Sequence, residues 1–330
     1  MDVAGDDAPF HAGERALQAR AGLAERLDQV GRTIIRDHMP DQHRELFEKL
    51  PLMLVGSLDA AGQPWASVLV GPPGFVHTPD ARTLRLAARP APADPLADHL
   101  AVGAPLGLLG IELPTRRRNR VNGSVSDCDD GGFTVAVRQS FGNCPKYIQV
   151  REPAWAQGPE ALQQPRPVAE EGARLSPAAL AQIARADTFF IASAAPRAGQ
   201  GGAARADGVD VSHRGGPPGF VRVEESGGAS VLTVPDFLGN FLFNTLGNLL
   251  LRPAAGLLFI DFDHGDLLWL AGDAQIVHDG PEVAAYPGAQ RLLRIRIRQG
   301  HRVAGALPLR WSAPEPSPHL AGLGPWPASS

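Results

Sequence analysis

The stretches VLVGPPGFV (residues 68–76) and HRGGPPGFV (residues 213–221) close on the same six letters. One follows an apolar run, the other a histidine and an arginine. Working outward from the two motifs, Ser67 falls on Ser212, each eight residues before the motif's phenylalanine. Downstream, GLLGIELPTRRRNRVNG (107–123) aligns without a gap on GLLFIDFDHGDLLWLAG (256–272). The offset is 145 residues at the first motif and 149 at the second, so one short insertion separates the copies. Shared glycines, leucines, an acid (Glu112, Asp261) and a closing glycine predict an internal duplication rather than common strand and turn grammar. The fold class expected is mainly β with helices (α+β): tandem small β-barrels forming a pseudo-dimer, each closing on itself to hide its strand edges and plugged by short helices.

A chain of 330 residues has the length for two domains, each able to bury its own core. The proportions, 44% hydrophobic and 20% charged, are those of a globular protein, and 37 Gly with 31 Pro predict many turns. A formal net charge of −4 argues against wholesale nucleic-acid binding, which needs an excess of Lys and Arg. Cys128 and Cys144 are too few for a disulfide framework and match no zinc spacing, so free thiols and no metal site are expected. No apolar run is long enough to span a bilayer and the first residues are acidic, which makes the cytoplasm the expected location, with no membrane partner.

The segmentation follows from pattern. Residues 13–37 place apolar side chains three or four apart and predict one amphipathic helix ended by Pro40, within an N-terminal helical segment, 1–40. The first barrel unit, 41–151, opens with the helix-like DQHRELFEKL and two strands joined at DAAGQ. Residues 152–174 are rich in Pro, Gln and Glu without a period and read as a linker. The second unit, 175–312, opens in the same order, with Ser176 as helix cap, Pro177 at the first helical position and DTFFIASAA as a strand. The end, 313–330, has the composition of a flexible tail.

Candidate chemistry lies where the copies differ. The first motif follows a buried strand, but the second follows Ser212, His213 and Arg214, offering a hydroxyl, a guanidinium fork and open backbone N–H groups that suit a phosphate. A plain hairpin with a solvated arginine is the competing reading. In PDFLGNFLFNTLGNLLLRP, Asn240, Asn244 and Asn248 recur every four residues, which on a helix puts them on one face while Phe243, Leu246 and Leu250 fill another. Asparagine is a poor helix former, so the stripe, with Thr245 beside it, suggests amides kept for a ligand such as the polar edge of a flavin; Asn240 alone could serve as a cap. TRRRNR packs Arg116, Arg117, Arg118 and Arg120 together, either as a solvated hairpin tip or as a strand with one face reaching the other unit to neutralise an anion. GQGGAA (199–204) lacks a following helix and reads as a hairpin loop, and no HExxH or GxSxG occurs.

The stretches MPDQHRELFEKLPLMLVGSLDAAGQPWASVLVGPPGFV, RRRNRVNG and QSFGNCPKYIQ, and in the second half DVSHRGGPPGFVRV and VPDFLGNFLFNTLGNLL, resemble the pyridoxamine 5'-phosphate oxidase-like FMN-binding split-barrel family, in a two-unit branch. The resemblance, over about 39–312, implies a split barrel with FMN at the junction of two barrels, here supplied by the two internal copies. It implies flavin-phosphate contacts from Ser212 and Arg214, and cofactor contacts from Asn240, Asn244, Thr245 and Asn248. His213, Arg116 and Arg118 complete the candidate set. Leu69, at the position of Arg214, departs from the pattern and puts a second flavin in doubt. The function expected is an FMN-dependent oxidoreductase acting on a small-molecule substrate or with a separate electron donor, since no ferredoxin-like cysteine cluster is present; the alternative is a non-catalytic flavin- or haem-binding carrier or sensor. A homodimer stays open.

Overall fold

Two seven-strand paths with one shared order form the body of the computed structural model, which describes residues 8–326. The first contains β1 (Leu52–Leu58), β2 (Pro64–Val70), β3 (Val76–Asp80), β4 (Thr83–Leu86), β5 (Pro105–Glu112), β6 (Arg117–Asp129) and β7 (Gly132–Gly142), in the order β2-β1-β5-β6-β7-β4-β3. After β8 (Pro153–Trp155) and β9 (Val168–Glu171), the second contains β10 (Thr188–Ala194), β11 (Val209–Gly215), β12 (Arg222–Ser226), β13 (Ala229–Phe237), β14 (Ala254–Ile260), β15 (Leu267–Val277) and β16 (Ala289–Val303). Its order, β11-β10-β14-β15-β16-β13-β12, repeats the first strand for strand, and all pairings are antiparallel.

GPPGFV is what rolls each sheet up. It joins β2 to β3, and in the second copy β11 to β12, and these strands are the two opposite edges of the sheet. Six strand spacings laid flat would separate the edges by about 29 Å. The connection reaches only about 20–25 Å even fully extended, so the sheet has to curl until its edges approach. The turn is built alike in both copies: Phe75 N–H donates to Pro72 O and Phe220 N–H to Pro217 O, each at 2.9 Å. Gly74 and Gly219 sit at φ 94° and 82° after Pro73 and Pro218, the geometry of a type II turn. Phe75 and Phe220 then fold into the two cores.

The barrel strands are apolar on consecutive residues because both faces are covered. Along β1, Val55 faces the first unit's own core while Leu54 faces the other unit; along β10, Ile191 and Phe190 divide in the same way. The shared layer between units includes Leu54, Val68, Leu109, Phe190, Val211, Leu258 and Trp269. Two glycines at aligned positions let the backbones meet there. A Cβ on Gly107 would lie 2.3 Å from Val209 O, and one on Gly256 would lie 2.1 Å from Pro64 O. Since β11 aligns with β2, these contacts are the two halves of a pseudo-twofold interface.

Several sequence expectations change. The predicted helix over 13–37 is two helices, α1 (Ala12–Arg20) and α2 (Ala24–Ile34). Gly22, at φ 71°, ends α1 in a Schellman arrangement, with Leu23 N–H bonded to Gln18 O and Gly22 N–H to Ala19 O. Helix α3 (Asp41–Lys49) and helix α4 (Pro177–Arg185), capped by Ser176, lie where the pattern placed them. Within 152–174, read from composition as a linker, β9 pairs with β16 and β8 with β17 (Leu309–Trp311). The tail expected to be flexible is docked through residue 326: Glu315 bridges to Val150, Trp326 Nε1 donates to Phe220 O at 2.9 Å, and Arg222 covers the Trp326 ring. One large aromatic outweighs a polar composition here; 327–330 and residues 1–7 lie outside the described residues. Among the described residues no helix is long and apolar enough to cross a membrane.

Candidate functional site

The pseudo-twofold interface has two ends, and the sequence builds them from opposite chemistry. At one end β11 of the second unit faces β6 of the first. Arg120 reaches across the junction, donating to Asp210 Oδ1 at 2.7 Å, to Val211 O at 3.0 Å and to Ser212 Oγ at 2.5 Å. Asp210 also accepts from Asn122 Nδ2 at 2.9 Å and Asn248 Nδ2 at 2.8 Å. A charge removed from water needs such a set of donors, and the pair is almost wholly buried, with side chains 3% and 8% exposed. Thr245 Oγ1 donates to Ser212 Oγ at 2.9 Å, which ties the helix α5 (Asn244–Leu251) to the strand.

Outside this buried layer opens a cleft of ≈ 970 Å³, lined by Arg118, Arg214, Ser212, His213, Asn244 and Thr245 among others. Arg118 and Arg214 are only half-buried, walled by protein but reached by solvent. Arg118 spends its Nε on Cys144 O at 2.6 Å, and Arg214 donates only to its neighbour's carbonyl, His213 O, at 3.2 Å. Burial and the repulsion of neighbouring arginines push the pKa of Arg118 down to about 9 and lower that of Arg214, the Asp236 carboxylate opposing the drop. His213 is buried with Nε2 unpaired; burial, then Arg118, Arg214 and Arg151, hold its pKa well below the usual imidazole range, so it is neutral. Cations that weaken one another in a walled space form a site for an anion.

Helix α1 braces this end. It crosses α5 where Gly13 meets Gly247, close enough that a Cβ on Gly13 would lie 2.1 Å from Gly247 O. That contact carries Glu14 inward to accept from Asn244 Nδ2 at 2.5 Å and His11 N–H at 2.9 Å. Burial, reinforced by the nearby Asp210 charge, raises the Glu14 carboxyl well above the ordinary carboxylate range.

Of the candidate residues, Ser212, His213, Arg214, Asn240, Asn244, Thr245 and Arg118 meet at the cleft. Asn248 lies behind it, its NH2 spent on Asp210 and Ser193. Arg116 does not belong: at φ 58° it turns away and bonds Ile148 O and Glu315. The three-asparagine stripe is also corrected. Phe241 and Phe243 take φ 60° and 63°, so α5 begins only at Asn244, and Asn240 precedes it with its Oδ1 on Leu242 N–H. Leu250, expected to fill a helix face, is 43% exposed. Sequence reasoning misses Asp210, Glu14, Tyr147 and Arg291, although an aspartate inside the apolar VDVSH is a visible signal for the first.

At the other end the aligned positions are inverted. Trp65 stands where Asp210 does, Trp269 where Arg120 does, and Leu69 where Arg214 does. Trp269 pairs with His301 as Arg120 pairs with Phe141, but here the rings stack at 4.8 Å and fill the space. Leu69, fully buried, gives this end no counterpart of the Arg214 guanidinium.

Residues 39–162 match the family model described as pyridoxamine 5'-phosphate oxidase. Among solved structures, a histidine-to-alanine variant of HupZ from Group A Streptococcus is 8% identical with a TM-score of 0.28, over 37% of this chain and 93% of its own. HutZ of Vibrio cholerae, described as a heme storage protein, is 13% identical at TM-score 0.27, over 40% of this chain and 95% of its own. The Bacillus subtilis inhibitor of motility MotI/DgrA is 8% identical at TM-score 0.19, over 75% of this chain and 87% of its own. No curated protein matches. The family match thus lies on the first unit, and the second unit repeats that unit's strand order.

Proposed function

We propose that the chain is an FMN-binding oxidoreductase of the pyridoxamine 5'-phosphate oxidase-like type, with one flavin held in the cleft between Arg118 and Arg214. The observation that carries this reading is that both guanidinium groups keep terminal N–H donors unspent inside a walled, cationic cleft. Such forks suit the phosphate of a flavin mononucleotide. The orphaned His213 Nε2 and the carbonyl side of Asn244, whose NH2 is taken by Glu14, fit the polar edge of such a cofactor. Bound flavin supplies the redox chemistry; the chain neutralises its phosphate, orients its ring and excludes water. A second reading, a flavin- or haem-binding carrier, rests on His213 alone, since a buried neutral imidazole with a free nitrogen would also suit haem iron.

The absorbance spectrum of the purified protein tests both readings. A flavin band that bleaches with NADH or NADPH supports the oxidoreductase, a flavin band inert to every reductant supports the carrier, and a Soret band lost in His213→Ala supports haem. Removing one charged hydrogen-bonding partner of a phosphate costs about 1.5–3 kcal/mol, so Arg214→Ala is expected to weaken FMN roughly 10–100-fold. Unchanged FMN affinity in both Arg214→Ala and Arg118→Ala overturns the placement.

A further inference from the structure

The aromatic end of the pseudo-twofold has a groove of its own, of ≈ 890 Å³, lined by Trp65, Asp94, Asp98, His99, Glu170 and His301, with Asp59 at its edge. No lysine or arginine is among its lining residues. His301 adds no positive charge: its Nε2 meets Ala93 O at 2.7 Å and burial lowers its pKa. Asp94 is only 2% exposed. Its Oδ1 accepts from Ser67 Oγ at 2.5 Å and Leu96 N–H at 2.9 Å, while its Oδ2 is buried without a hydrogen-bond partner. The Val68 N–H and Trp269, whose indole N–H is also unpaired, lie close enough to draw down the carboxyl's pKa, yet neither closes a hydrogen bond of ordinary geometry. A buried carboxylate oxygen left unpaired costs free energy, and at an acidic groove it marks the place of a cationic donor.

We propose that this groove is a second binding site, for a small organic ammonium cation whose amine meets Asp94. The duplication that made one end of the interface cationic left the other acidic and aromatic, so the two sites take ligands of opposite charge. A metal ion fits less well, because among the described residues no three His, Cys, Asp or Glu side chains come together as a metal site, and the groove is molecule-sized. Trp65 in its wall adds an aromatic ring beside the carboxylates, and aromatic rings with carboxylates recognise organic cations. The inference stands apart from the flavin reading.

Calorimetric titration of the full chain at pH 8 with 1,4-diaminobutane tests it, with 1,4-butanediol as the uncharged isostere and Mg²⁺ as the metal arm. Expected are saturable binding of the diamine, none of the diol, a tenfold or greater loss in Asp94→Asn and a several-fold loss in Glu170→Gln. The rim variant Glu170→Gln decides the matter if Asp94→Asn does not fold. Absence of saturable diamine binding, equal binding of the diol, displacement of the diamine by Mg²⁺ at lower concentration, or wild-type affinity in the variants that fold each overturns the proposal.

Discussion

Replacing Asp94 by asparagine should make this protein more stable at pH 8 and slightly less stable at pH 4. Burial raises the carboxyl from its ordinary 3.8 to about 7, against the lowering effects of Ser67, the Leu96 and Val68 N–H groups and Trp269. The folded chain therefore keeps a proton on Asp94 at pH values where the unfolded chain has released it. That contribution to stability is complete below about pH 4 and is lost as pH rises through 7. At about 1.4 kcal/mol per pH unit, the shift amounts to roughly 4 kcal/mol of destabilisation once the buried group is ionised. Asparagine copies the protonated acid, keeping an oxygen for Ser67 and Leu96, but turns an NH2 toward the Trp269 indole N–H. Allowing about 1 kcal/mol for that mismatch leaves a gain of roughly 3 kcal/mol at pH 8. Thermal unfolding of the two proteins at pH 4 and pH 8 measures it: a several-degree advantage for the variant at pH 8 that turns into a small deficit at pH 4. An equal difference at both pH values, or a variant less stable at pH 8, would refute the reasoning. A stabilising change that also abolishes amine binding would be the trade expected of a functional group.

Arg120→Leu strands the Asp210 carboxylate in the junction and should cost about 3–5 kcal/mol, and adding Asp210→Asn should restore part of the loss; urea denaturation of the single and double variants checks this, and a further loss in the double variant counts against the ionic account. Gly256→Val places a Cβ 2.1 Å from Pro64 O and should destabilise the chain by more than about 3 kcal/mol, whereas Gly201→Ala, with no atom within 4 Å, should stay within about 0.5 kcal/mol, both read by thermal melting. Trp269→Ala empties the aromatic end and should cost about 3–5 kcal/mol without reversing the charge preference of the Arg118–Arg214 cleft, as measured by melting and by FMN titration.

Periodicity and repetition carry far in this chain, and each limit has a local cause. The double GPPGFV announces two equivalent units because a type II turn writes itself in adjacent residues, Pro73-Gly74 and Pro218-Gly219. Arg214 and Ser212 are legible as a candidate site since their strand, β11, runs directly into the motif. Arg116 misleads because alternation along a strand cannot show that the chain turns left-handed at that residue. The asparagine stripe fails similarly: spacing of four implies a shared face only if the helix has begun, and two phenylalanines in left-handed conformation delay it to Asn244. The docking of Trp326 is invisible in the sequence since its partners, Phe220, Arg222 and Tyr286, lie 40 or more positions away.

By itself, then, the sequence determined the unit, its duplication and the residue types at each end of the interface, because strand alternation and turn chemistry act between neighbours in the chain. Tertiary structure alone decided that Arg120 of one copy would meet Asp210 of the other, that Glu14 would brace Asn244, and that Trp65 and Trp269 would close the aromatic end. Those contacts join residues 90 to 230 positions apart, and only the burial of two curled sheets against each other brings them within hydrogen-bond or van der Waals reach.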